Sequence, residues 1–140
     1  MKVLYTAVAT ADGDGRNGHT ATDDGMLSVE VRIPASMGGP GGATNPEQLF
    51  AAGYAACFHS ALKFVAAPDG LDVTGTEVTM RVDLGLLPEG TFGLAVEIGL
   101  LAPNLDPETA QALLERAHEV CPYSNATRGN IDVTLALLVA

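Results

Sequence analysis

The feature that most constrains this chain is the run NPEQLFAAGYAACFHSALKFVAA, residues 45–67. Asn45 can cap a helix, Pro46 suits the first helical position, and Glu47 favours the positive end of the helix dipole. Pro68 and Gly70 lie beyond the run, so the pattern predicts a helix over residues 46–66. Its small residues, Ala51, Ala52, Gly53, Ala55, Ala56, Ser60 and Ala61, cover most of the circumference. A helix that is small and apolar on nearly all sides must be covered on nearly all sides, crossed closely by another helix or a sheet.

The elements around it are mostly strands. Val3 to Ala9 mixes β-branched and apolar residues and predicts a first strand over residues 2–11. GDGRNG, residues 13–18, is a turn that holds one charge, Arg16, between glycines. Leu27 to Ile33 alternates apolar and polar residues as a half-buried strand, which Pro34 ends. MGGPGGAT, residues 37–44, is a flexible glycine-rich loop without the Lys-Ser/Thr of a phosphate-binding loop. Val73–Leu87 and Phe92–Ala102 flank Pro88–Thr91 as a long hairpin. Asp106-Pro107-Glu108 opens a second helix to Val120, with Ala110, Leu113, Leu114 and Ala117 on one face. A short turn, Pro122–Thr127, then leads to a last strand, Ile131–Val139. The order β-β-β-α-β-β-α-β defines a single α+β domain, residues 1–140, with a mostly antiparallel sheet. One six-stranded sheet leaves the long buried central helix short of cover. Two chains packing their long helices between their sheets would supply it, so a homodimer is expected.

Composition removes several classes of function. Hydrophobic residues make up 47% of the chain but aromatics only 5%, with no Trp, so the core must be aliphatic. The net charge of −10 argues against nucleic acid and against anionic membrane surfaces. No apolar stretch approaches the roughly 18–20 residues of a membrane span. The start, MKVLYTAVATADG, has one Lys and an apolar run broken by Thr6 and Thr10, which fits a strand better than a signal peptide. A cytoplasmic location is expected. Thiols there stay reduced unless their disulfide is catalytic or redox-sensing.

The chain has two cysteines, Cys57 inside the long helix and Cys121 at the end of the second helix, just before Pro122. Each taken alone reads as a small buried hydrophobe. Together, far apart in a chain with no sign of secretion, they point to a redox pair. No CxxC motif occurs, so a thioredoxin-type site is not supported. Metal binding is disfavoured: of His19, His59 and His118, His59 lies two residues from Cys57, about 200° around a helix. A reactive thiol needs a lowered pKa, because only the thiolate attacks. Arg16 is the candidate cation and Glu47 the carboxylate that would hold its guanidinium through a bidentate pair. Arg16 also reads as a solvated loop charge, and Glu47 as a helix-dipole charge. Glu47 and Cys57 are ten residues apart, roughly 15 Å of rise on a continuous helix. If they share a site, Glu47 comes from a partner subunit, unless the helix kinks near Gly53.

NPEQLFAAGYAACF (45–58) and CPYSNATRGNIDV (121–133), with MKVLYTAVATA at the start and GRNG at 15–18, resemble the organic hydroperoxide resistance proteins of the OsmC/Ohr superfamily. The similarity spans essentially the whole chain, and CPYSNATRGN resembles the Ohr branch more than the OsmC branch. The resemblance implies an OsmC/Ohr-like fold in an intertwined homodimer, with active sites at the interface. It implies a thiol-dependent peroxidase of organic hydroperoxides, with Cys57 as the peroxidatic cysteine and Cys121 as the resolving one. Arg16 and Glu47 would activate the thiolate and orient the peroxide. No cofactor is bound; the implied reductant is dihydrolipoamide carried on a lipoylated protein. The family commonly has Asp after this Arg, where this chain has Asn17. Phe50, Leu49, Phe58 and Phe64 would favour peroxides with an apolar tail. An OsmC-type peroxidase of broader use, and a non-catalytic dimeric module using its thiols as a redox switch, are the alternatives.

Overall fold

The computed structural model describes residues 1–139 and divides into two compact units, Met1–Leu49 and Phe50 onward. The first unit holds strands β1 (Ala9–Asp14), β2 (Asn17–Thr22) and β3 (Ser28–Glu30), antiparallel in the order β1-β2-β3. Asp14 pairs with Asn17 across a two-residue turn made by Gly15 and Arg16. Gly15 has φ of 54° and Arg16 does not enter the left-handed region. That glycine-first signature is the tight turn whose twist matches a hairpin. Glycine at 15 thereby frees position 16 for a long side chain.

Helix α1 (Pro46–Ala66) begins in the first unit and runs through the second. Its start and stop match the sequence reading. The Asn45 side chain accepts the Gln48 backbone N–H at 2.9 Å, satisfying one of the donors a helix start leaves open. In the second unit, β4 (Glu77–Leu86) and β5 (Phe92–Leu101) form the expected hairpin, with β6 (Val133–Leu137) parallel to β5 on its other side. Helix α2 (Pro107–Val120) is capped by Asp106, whose side chain accepts from Thr109. Its buried residues are Ala110, Leu113, Leu114 and Ala117, the face the periodicity predicted.

The core of this unit joins three elements. Val96, Ile98 and Leu100 alternate along the central strand β5 and point one way. Tyr54, Phe58 and Leu62 come from α1, and Leu113, Leu114 and Ala117 from α2. The interior is aliphatic apart from two α1 rings.

Several expectations are corrected. The six strands form two three-stranded sheets instead of one six-stranded sheet. Strand β1 starts at Ala9, and residues 2–8 lie outside any strand with Val3, Leu4, Tyr5 and Val8 exposed. A strand is defined by its ladder, and although the Val8 carbonyl accepts the Asp23 N–H at 3.0 Å, no ladder extends over residues 2–8. Leu27–Ile33 contributes only three ladder residues, although Val31 is buried and bridges to Thr44. Residues 122–127 form a short helix, α3 (Pro122–Thr127), where a turn was expected. Within one chain α1 is buried on one face only, at Tyr54, Phe58, Ala61, Leu62, Val65 and Ala66, because one three-stranded sheet and α2 cover one side. Finally, α1 with its 3-10 extension (Pro46–Asp69) is long and apolar enough by length and composition to cross a membrane. The sequence reading, which found no apolar stretch of that length, is corrected here; the buried face of that helix belongs to the core.

Candidate active site

The four residues singled out in the sequence fall into two pairs. In the first unit, Arg16 at the hairpin tip donates from Nη1 to Glu47 Oε2 at 2.9 Å and from Nη2 to Oε1 at 2.7 Å. This is a two-pronged ion pair between a strand turn and the first turn of α1. Its hydrogen bond to Arg16 holds the Glu47 carboxyl below the usual carboxylate range, and the same contact raises the Arg16 pKa. The Glu47 side chain is 15% exposed and that of Arg16 42%, so the guanidinium keeps an open edge. Next to it, Asn17 turns its Oδ1 inward to accept the Ile33 backbone N–H at 3.1 Å, tying the hairpin to the following loop.

In the second unit, the thiols meet. Cys121 Sγ lies 3.6 Å from Cys57 Sγ, and both are unbonded thiols. Cys57 is half-buried on α1, whereas Cys121 is fully buried. The backbone of Cys121 is held on both sides. Its N–H closes α2 on the Ala117 carbonyl at 3.0 Å, and its carbonyl accepts from the Asn125 N–H at 2.9 Å in α3. Pro122, which has no N–H to leave unpaired, fits the first position of α3.

Burial pushes the Cys57 thiol up from its ordinary pKa, and the neighbouring Cys121 adds to the rise. The backbone N–H of Tyr123 pulls in the opposite direction by hydrogen bonding to the sulfur. The net direction is upward, so these contacts do not supply the lowered pKa that a reactive thiol needs. Beside the sulfurs runs an open apolar groove of about 510 Å³ lined by Cys57, Ser60, Ala61, Phe64, Val120 and Pro122. Of the apolar side chains expected nearby, only Phe64 lines it. Phe58 is core, Leu49 is half-buried in the first unit, and Phe50 packs edge-on to Tyr54 and against Tyr123.

Sequence reasoning missed the polar cluster behind Cys121. Ser124 Oγ lies 2.9 Å from the Tyr54 hydroxyl and 2.8 Å from His118 Nδ1. Thr127 Oγ1 lies 3.2 Å from the Tyr54 hydroxyl and donates to the Ser124 carbonyl. Burial and the Arg128 charge hold the His118 pKa below its ordinary value, favouring the neutral ring. With its proton on Nε2, one donor set links the cluster: Tyr54 donates to Ser124, Ser124 donates to His118 Nδ1, and Thr127 donates to the Ser124 carbonyl. The Tyr54 contacts join residues 70 and 73 positions apart, and no local pattern announces them. Gly53 makes room here too, since a side chain at 53 would start 3.0 Å from the Tyr123 hydroxyl. Among the described residues no three His, Cys, Asp or Glu side chains converge as metal ligands.

An α+β frame carrying two apposed thiols beside an apolar groove defines a dithiol protein. A family model described as OsmC-like protein matches residues 39–136. An organic hydroperoxide resistance protein of Xanthomonas axonopodis pv. citri is 54% identical over 138 residues, covering 97% of this chain and 96% of that one. The crystal structure of an organic hydroperoxide resistance protein from Legionella pneumophila superposes with a TM-score of 0.93 at 51% identity, covering 99% of this chain and all of that one. That of the organic hydroperoxide resistance protein OhrB of Bacillus subtilis gives 0.88 at 46%, covering 97% and 100%. The chain therefore belongs to the OsmC-like family, in its organic hydroperoxide resistance branch.

Proposed function

We propose that this protein is a cytoplasmic, homodimeric thiol peroxidase that reduces organic hydroperoxides to alcohols through Cys57 and Cys121. Organic peroxide resistance follows from the family, and an enzyme of the peroxidase type with it. The observation that carries the cysteine chemistry is the 3.6 Å approach of two reduced sulfurs beside an apolar groove.

In this reading the Cys57 thiolate attacks the distal peroxide oxygen. The O–O bond breaks, the alkoxide leaves and takes up a proton as the alcohol, and Cys57 becomes a sulfenic acid. The Cys121 sulfur then attacks the Cys57 sulfur. The S–O bond breaks, water leaves, and a Cys57–Cys121 disulfide forms, which shields Cys57 from further oxidation. Dihydrolipoamide on a lipoylated protein reopens the bridge by thiol exchange and is itself oxidised to the cyclic disulfide.

Arg16 and Glu47 act on the thiol of the partner subunit. Helix α1 runs without a break through Gly53, and the ten residues from Glu47 to Cys57 then amount to roughly 15 Å of rise. A guanidinium with an open edge is what the upward-shifted Cys57 needs, since a nearby cation favours the thiolate and the developing alkoxide. The exposed Val3, Leu4, Tyr5 and Val8, and the uncovered face of α1, support a second copy as their cover.

The deciding experiment is a steady-state assay of a long-chain alkyl hydroperoxide against hydrogen peroxide, with dihydrolipoamide as reductant. Turnover that prefers the alkyl substrate and vanishes in Cys57→Ser is the expected result. The raised Cys57 pKa favours a second reading, a redox switch that forms its disulfide without turnover. One disulfide per chain with no sustained consumption of hydroperoxide would establish the switch instead.

A further inference from the structure

We propose that buried Ser124, bridged between Tyr54 and His118, is a positioning residue that sets Cys121 against Cys57 for disulfide closure. The inference rests on the dithiol reading above and extends it to the machinery that aligns the second sulfur.

Among the described residues Cys121 has no polar side-chain partner besides the Cys57 thiol, so its position is inherited from its backbone. That backbone is the junction of α2 and α3, and α3 is only six residues long. So short a helix has too few hydrogen bonds to hold its own place. Ser124 supplies the anchor. It is fully buried and sits three residues after Cys121. Its hydroxyl joins α3 to α1 through Tyr54 and to α2 through His118, the two helices that carry or precede the thiols. Tyr54 lies one helical turn before Cys57, so the Ser124–Tyr54 bond is a strut between the segments bearing the two sulfurs. Thr127 donates to the Ser124 carbonyl within α3, and Arg128 reaches back to the His118 carbonyl.

A hydrocarbon core alone would tolerate small sliding of α3. A buried, fully satisfied polar cluster has one arrangement and a steep cost for leaving it. The reaction needs such a strut because the sulfurs must move from 3.6 Å to a bond of about 2 Å and return each cycle. The cluster leaves Cys121 itself unpinned while fixing the platform beneath it.

The test uses dipyridyl disulfide, a probe that reports closure without peroxide. Cys57, half-buried beside the groove, attacks it, forming a mixed disulfide and releasing one thiopyridone. Cys121 then attacks the Cys57 sulfur, forming the intramolecular disulfide and releasing the second. In Ser124→Ala and in the near-isosteric Tyr54→Phe, the second release should slow about tenfold or more, with the first within about twofold of wild type. His118→Leu should behave likewise, whereas His118→Asn, whose amide falls near the Nδ1 position, should retain most of the rate. Wild-type second release in both Ser124→Ala and Tyr54→Phe would overturn the proposal. So would an equal slowing in Leu113→Ala, a core change outside the cluster, because general loosening would then suffice. A wild-type chain that releases only one thiopyridone would overturn it as well. Failure of the peroxidase reading looks different: a chain that closes its disulfide at full rate yet consumes no hydroperoxide refutes that reading and leaves this one intact.

Discussion

Cys121 Sγ stands 3.6 Å from Cys57 Sγ, although the two residues are separated by 64 positions in the chain. The pair is in van der Waals contact and short of a bond, which is the arrangement a reversible disulfide needs. Burial is unequal, with Cys57 facing the groove and Cys121 enclosed. An oxidant arriving through the groove therefore meets Cys57 first.

From that asymmetry, Cys57→Ser should abolish peroxide consumption, a loss of three orders of magnitude or more on the scale of lost nucleophiles. Cys121→Ser should keep the first attack and lose cycling, with Cys57 accumulating as sulfinic acid on repeated exposure. Intact-mass spectrometry after one and after many equivalents of hydroperoxide reads both outcomes. Normal multi-turnover rates in Cys121→Ser would remove it from the resolving role.

The Arg16–Glu47 pair predicts a pH signature. The Glu47 pKa is depressed in the folded chain, so the pair's contribution to stability is present above the ordinary carboxylate range and fades as pH falls through the depressed folded value. Arg16 is well exposed, and the contribution should be about 1 kcal/mol or less. Glu47→Gln should thus shift the melting temperature slightly at neutral pH and hardly at all in acid. Its larger effect is on chemistry: Arg16→Ala and Glu47→Gln should both move the pH profile of Cys57 alkylation upward in the assembled dimer. An unchanged profile would detach the pair from the thiol.

Groove filling tests the substrate class. Ser60 lines the groove and is exposed. Ser60→Phe should raise KM for a long-chain hydroperoxide about tenfold while leaving a small alkyl hydroperoxide within about twofold. Equal effects on both substrates would place the peroxide tail elsewhere.

Two imidazoles should make the fold acid-sensitive. Burial lowers the pKa of His118 and of His59, so the folded chain binds fewer protons than the unfolded one once pH falls past about 6.5. Stability is then full above that value and declines as pH drops toward the folded values. The melting temperature should fall between pH of about 7.5 and 5.5. His59→Gln, which can keep a hydrogen bond to Thr76, should flatten part of that decline. A wild-type melting temperature constant over the interval would contradict the linkage.

Much of this architecture was legible locally. Asn45-Pro46-Glu47 and Asp106-Pro107 start α1 and α2 where the caps require, and the 3.6-residue period placed Leu113 and Leu114 inward. GRNG marked the turn that presents Arg16, because a glycine-first hairpin needs no tertiary help. The failures share one cause. Residues 2–8 have strand-forming side chains but no ladder in this chain, and the strands split into two sheets because pairing is a choice between distant segments. The small-residue circumference of α1 signals close packing without saying which sides one chain can cover. Phe58 and Phe64, six residues apart on that helix, look alike in sequence, yet one is core and the other lines the groove.

By itself, then, the amino-acid sequence determined α1 and α2, their caps and the β4–β5 hairpin, because each depends on spacing within a few turns of backbone. Only the tertiary structure decided that Ser124 would lock to Tyr54 and His118, that Cys57 would be raised in pKa by burial, and that the sulfurs would meet. The Tyr54–Ser124 bond and the meeting of the sulfurs depend on distances between segments 70 and 64 residues apart, and such distances exist only once the aliphatic core has closed.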